Sequence, residues 1–230
     1  MHMKESINVA TDRSRARVLA VVGAAVLGVA AYCRLIGPRL LTWGTTPDEL
    51  RRAWPGDELL ASPPYQATRA ITIRATPAEI WPWLMQLGQD RGGFYSYDWL
   101  ENLFGADIHS IDQLIPGLED RRVGDVVWLG RPDRYGEMVK NVVAIVQPHR
   151  ALVLVNAQDA KALAIGGRAR RWTWAFILEP AGERTTRLIV RSRGQCFNHL
   201  IAPIHFLMEH KMLQGIRERA ERFARPAPPR

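Results

Sequence analysis

The sequence predicts an α+β domain in which a curved antiparallel sheet closes around one long C-terminal helix, preceded by one transmembrane helix. Three observations predict it. An apolar stretch without a single charge runs from Val18 to Cys33. Five segments rich in Val, Ile and Trp follow one another between residues 126 and 193, separated by turn residues. Leu200, Ile204, Leu207, Met208, Met212, Ile216 and Phe223 then recur at helical spacing. An antiparallel sheet must cover its apolar face, and the final helix is the only element long enough to do so. A sheet gripping a single helix leaves space between them, which favours a cavity.

Taken in order, the 19 residues Val18–Ile36 hold five Val, three Leu and one Ile. On an insertion scale these contribute about −3 to −5 kcal/mol, and Arg34 lies near enough to the end to snorkel. The competing reading is a cleaved signal peptide, with Arg13, Arg15 and Arg17 ahead of the apolar run and Val29-Ala30-Ala31 as the cleavage site. The three arginines on the N-terminal side lean toward an inside N-terminus. Of the net charge of +8, residues 1–39 carry +4 and residues 217–230 carry +3. The body is close to neutral, so anionic headgroups, not nucleic acid, are the partner the charge suggests. Two cysteines, Cys33 and Cys196, exclude a disulfide framework, and Cys196 reads as a buried small hydrophobe.

Residues 37–64 read as a connector containing one short helix. Thr46-Pro47-Asp48-Glu49 and Thr76-Pro77-Ala78-Glu79 repeat one helix-start signal, with Thr at N-cap, Pro at N1 and Glu at N3. Ser62-Pro63-Pro64 breaks the chain before the main domain, residues 65–225. Within it, Gln66–Arg74 alternates as a strand. The helix from Pro77 turns Ile80, Trp83, Leu84 and Leu87 inward up to Gly88, with a kink or one loosened turn expected at Pro82. Ser96–Phe104 reads as a second short helix, and Ser110–Gln113 as a further capping box. Strands are expected at Val126–Leu129, Glu137–Val146, Leu152–Asn156, Arg171–Leu178 and Arg187–Arg193. Ala157–Arg170, with Gly166-Gly167, reads as a mobile loop or lid. A helix from about Asn198 to Arg225 and a Pro-rich tail, 226–230, close the chain.

The segments AITIRATPAEIWPWLMQL (70–87), GQDRGGFYSYDWLENL (88–103), IHSIDQLIPGLEDRRVGDVVWLG (108–130) and FLMEHKMLQGIRERAE (206–221) resemble the START-like helix-grip superfamily, the SRPBCC or polyketide cyclase/dehydrase-like group. Within it they look like a bacterial subgroup whose members often carry an N-terminal membrane segment. The resemblance covers roughly residues 44–225. It implies a helix-grip fold and a hydrophobic cavity, and no single activity.

Trp172, Trp174 and Phe176 share one strand face, and Trp128 lies on the Val126 face of its own strand; they line a cavity or pack on the closing helix. Tyr95 and Tyr97 either offer hydroxyls at a cavity mouth or pack with polar tips. Glu137, sharing a strand face with Asn141, is a buried carboxylate if that face points inward and a solvated residue if it points outward. Asp107 and His109 are candidates for acid–base work, against a capping or surface role. His205, Glu209 and His210 do not have zinc-helix spacing, so no metal is expected, and no motif indicates a cofactor. The leading functional reading is a membrane-tethered binding module for a small hydrophobic ligand, a lipid or polyketide-like compound. The alternatives are a cyclase or dehydratase using acid–base chemistry in the same cavity, and a structural or interaction protein without ligand.

Overall fold

A computed structural model describes residues 31–195 and 201–224, together with Ala24 and Gly28. The chain divides at residue 40 into two units. Tyr32–Ile36 forms a π-helical turn, and the α-helix Gly37–Leu41 runs across that boundary. Most of the transmembrane expectation (18–36) lies outside the described residues. Among the described residues no helix is long and apolar enough to cross a membrane. Cys196, the side chain of Cys33 and the Pro-rich tail also lie outside them.

In the second unit six strands form one antiparallel sheet, ordered β1-β6-β5-β4-β3-β2. They are β1 (Tyr65–Ile73), β2 (Val126–Trp128), β3 (Lys140–Gln147), β4 (Ala151–Asn156), β5 (Trp172–Gly182) and β6 (Thr185–Gly194). The C-terminal helix, Ala202–Phe223, covers the inner face. The fold is thus α+β, a six-stranded antiparallel sheet with one closing helix, the helix-grip arrangement. Strand alternation fixes which residues meet that helix. Ile71 and Ile73 of β1, Leu188 and Val190 of β6, and Trp174 and Phe176 of β5 join Met212, Leu213, Ile216 and Ala220 of the helix in the main core.

Both Thr-Pro-x-Glu signals form as full capping boxes. The hydroxyls of Thr46 and Thr76 accept from the Glu49 and Glu79 amides, and each carboxylate returns to the Thr amide. The second helix, Pro77–Met85, runs without interruption through Pro82. The buried Arg121 donates to the carbonyl of Met85 at the end of this helix, to that of Leu87 just beyond, and to that of Val126 on β2. Gly215 brings the C-terminal helix against the Tyr95 backbone; a Cβ there would stand 2.2 Å from the Tyr95 carbonyl oxygen.

Several expectations are corrected. Glu137 is not in a strand. Gly136–Val139 forms a 3-10 turn after the Pro132–Tyr135 helix, and β3 begins only at Lys140. The Ser110–Gln113 capping box does not form, because the Ser110 hydroxyl and amide both donate to Asp98. The expected lid contains an ordered helix, Ala157–Ala164. Its buried Asp159 accepts from the amides of Arg170, Arg171 and Trp172, tying the end of the loop to β5. On the C-terminal helix Ile204, Leu207 and Phe223 are exposed; the buried stripe runs instead through Ala202, Glu209, Met212 and Ile216.

The connector has a role that the sequence reading did not give it. Its residues 49–59 cover the outer face of the sheet, where Trp54 packs with Ala70, Val153, Ala175, Ile177 and Ile189. Three arginines on the outward positions of β6 hold it there. Arg187 pairs with Glu49 at 2.8 Å, and Arg193 with Asp57 at 3.1 Å. Arg191, buried, pairs with Asp57 at 2.6 Å and donates to the carbonyls of Glu49, Leu50 and Arg52.

Candidate functional site

A cavity of about 170 Å³ lies between the inner face of the sheet and the C-terminal helix. Its apolar wall is Phe94, Leu129, Trp174, Met208 and Met212. Phe94 comes from the loop after Gly93, Leu129 from the end of β2, Trp174 from β5, and the two methionines from the closing helix. The rings of Phe94 and Trp174 stack with centroids 6.2 Å apart. The polar wall is Ser96, Glu101, His205 and Glu209.

Glu209 is fully enclosed. One carboxylate oxygen accepts from the Trp174 indole at 3.0 Å and the Ser192 hydroxyl at 3.1 Å; the other pairs with Arg69 of β1, itself buried. Burial alone would raise the carboxyl, but Arg69 and these donors outweigh it and hold it below the usual carboxylate range. His205, one turn earlier, has Nδ1 3.2 Å from an Arg69 guanidinium nitrogen, so that ring nitrogen accepts and the proton sits on Nε2. Burial lowers the imidazole pKa, consistent with a neutral ring. This cluster is charged yet internally compensated.

Glu101 is different. It sits on the helix Asp98–Leu103, whose first turn is set by the Tyr97 carbonyl accepting from the Leu100 and Glu101 amides. That helix is inverted in polarity: Trp99 and Leu103 are exposed, as is the adjoining Phe104, while Glu101 lines the cavity. The side chain of Asn102 fixes this orientation by bonding both the amide and the carbonyl of Ile108. Among the described residues, Oε2 of Glu101 is shielded from solvent and has no hydrogen-bond partner. Burial, and secondarily the neighbouring Asp98, push its pKa up from 4.5 to about 7. A carboxyl that titrates near neutrality inside a cavity can hold or release a proton toward a bound molecule.

Of the residues singled out from sequence, Trp174 lines the cavity. Trp172 and Phe176 face the same side and pack in the core. Trp128 opposes Lys140 on the outward positions of β2 and β3, with the ammonium 5.7 Å from its ring. Tyr95 is buried and donates to the Trp83 carbonyl at 3.1 Å, while Tyr97 precedes the Asp98–Leu103 helix with its ring edge-on to Trp99. Glu137 is exposed and flanked by Lys161 and Lys140, which lower its pKa. Asp107 and His109 pair with each other at 3.2 Å on the surface. None of these three lines the cavity. Among the described residues no group of His, Cys, Asp and Glu is arranged to hold a metal ion.

Glu101 carries a signal in the sequence. Between Arg91 and Arg121 there is no Lys or Arg, yet Asp98 and Glu101 stand three apart, on one side of a helix. Two like charges without a local cation leave one of them perturbed.

No family model and no curated protein matches the chain. Among solved structures the chain is similar to MLL2253 from Mesorhizobium loti (14% identity, 69% of this chain and 98% of that one, TM-score 0.37). It is similar also to the Aha1 dimer from Colwellia psychrerythraea (16% identity, 68% and 96%, TM-score 0.41). A third is DynU16, a protein in the dynemicin biosynthetic locus (9% identity, 65% and 46%, TM-score 0.34). None of the three likenesses bears on ligand or activity.

Proposed function

We propose that the protein is a helix-grip protein of the START-like group that binds a small hydrophobic molecule between its sheet and its closing helix. The observation that carries this reading is the cavity itself, about 170 Å³ with five apolar side chains in its wall. An engineered apolar cavity of about 150 Å³ suffices to take up benzene. The cavity therefore admits a group about the size of one ring, its surface desolvated against Trp174, Phe94 and the methionines. Titration of the full chain with toluene, followed by tryptophan fluorescence and by the shift of its thermal midpoint, tests the reading. Saturable binding that is lost in both Met212→Trp and Leu129→Phe, two ways of filling the space, is expected. A cavity that takes up no apolar probe in the wild-type chain sinks it.

Glu101 favours a second reading, acid–base chemistry on the bound molecule, with this carboxyl in the role that sequence reasoning offered to Glu137, His109 or Asp107. Turnover of a ligand recovered from the protein, abolished in Glu101→Gln with binding intact, distinguishes an enzyme from a carrier. We propose also that the apolar stretch 18–36 tethers the domain to a membrane, on the strength of its composition. Release of the intact chain from cell membranes by alkaline carbonate would rule that out.

A further inference from the structure

The polar wall of the cavity carries an imbalance that goes beyond the presence of a pocket. Most of its donors are engaged, and the His205 Nε2–H stands 3.7 Å from the Glu209 carboxylate. The Trp174 indole and the Ser192 hydroxyl are spent on Glu209, the Arg69 guanidinium on Glu209 and His205, and the Ser96 hydroxyl on the Met208 carbonyl at 2.8 Å. What remains open is acceptor capacity: Oε2 of Glu101, without a partner among the described residues, and the second lone pair of the Ser96 hydroxyl. A buried acceptor left unmatched is costly, and a ligand that matches it recovers that cost on binding.

We propose that the cavity selects molecules with a ring-sized apolar head bearing one hydroxyl or amine hydrogen, which the head donates to Oε2 of Glu101. This rests on the ligand-binding reading above and narrows it to a chemical class. The apolar wall takes the ring, and the Glu101 carboxylate fixes its rotation by a charge-assisted hydrogen bond. The raised pKa of Glu101 is what a carboxyl without its donor shows. Asp98 adds to it from the same helix; His205 and Glu209 face the cavity from the closing helix, the first neutral and the second already neutralised by Arg69.

The test compares three probes of similar size on the full chain at about pH 8, where Glu101 is mostly ionised. Toluene has no polar hydrogen, anisole only an acceptor, and phenol a donor. Phenol is expected to bind the wild type more tightly than anisole. Glu101→Leu is expected to weaken phenol about tenfold or more, as loss of a hydrogen bond to a charged group does, while toluene binds as well as before. Toluene binding also reports that the variant is folded. If toluene binds but phenol keeps the same affinity in Glu101→Leu, the donor proposal is overturned and the cavity reading stands. If anisole matches phenol in the wild type, the acceptor assignment is wrong and the proposal is likewise overturned. If none of the three binds the wild type, the cavity reading falls and takes this proposal with it.

Discussion

Replacing Glu101 by Gln keeps the shape of the side chain and removes its titration. In the wild type the carboxyl titrates near 7 when folded, against an ordinary value of 4.5. The folded state therefore holds the proton more tightly than the unfolded one. The associated stabilisation is complete below about pH 4.5 and is lost as the pH rises through 7. Between about pH 5 and about pH 8.5 the linkage amounts to about 2 kcal/mol, allowing for the partial burial of the residue. Glu101→Gln has no such loss. The prediction is that its stability relative to wild type improves by about 2 kcal/mol from the acid to the alkaline condition. Urea unfolding of both full chains at the two pH values, followed by tryptophan fluorescence, measures it. His205 and His210 titrate in both proteins, so their contributions cancel in the difference. A difference between the two proteins that does not change with pH would show that Glu101 is solvated in the folded state, and would falsify its burial in the cavity wall.

Other perturbations have expected outcomes of their own. Glu209→Ala leaves the Arg69 charge buried without its carboxylate and should cost about 3–5 kcal/mol in urea unfolding. Arg191→Ala should cost about 3 kcal/mol or more and make Trp54 fluorescence solvent-sensitive, because Asp57 and the connector lose their main partner on β6. Gly215→Ala should destabilise the protein despite the better helix propensity of Ala, worth about 1 kcal/mol, because the new Cβ meets the Tyr95 carbonyl; a higher thermal midpoint in that variant would contradict the close approach. Thr76→Ala removes an N-cap and should cost about 1 kcal/mol, with little effect on probe binding.

The parts of the fold that could be read from the sequence were those where local chemistry and tertiary role agree. Thr76-Pro77-Ala78-Glu79 caps a helix by contacts within four residues, so no distant partner is needed to predict it. The Trp172–Leu178 and Arg187–Arg193 segments alternate against a buried face, and their period is enough. Failures came where a distant partner decides. Asp159 looks like a polar loop residue until the amides at the start of β5 are counted. In the same segment AQDAKALA is helix-forming, a signal masked by the two glycines that follow. The connector residues Glu49, Asp57 and Trp54 gain their meaning from arginines more than a hundred residues away on β6. Glu101 is the sharpest case. On a helix with Trp99 and Leu103, amphipathic patterning sends a glutamate outward, whereas Asn102 bound to Ile108 turns it in.

The Arg69–Glu209 pair also constrains movement. An α-helix advances about 1.5 Å per residue, so a slide of one residue along the sheet would draw Glu209 away from Arg69, Trp174 and Ser192 together. It would leave a buried charge on each side. The Glu209 carboxylate thus pegs the closing helix in register on the sheet, as a bolt fixes a sliding panel. A cavity bounded by a pegged helix cannot widen by letting that helix drift; size selection is built into where the peg sits.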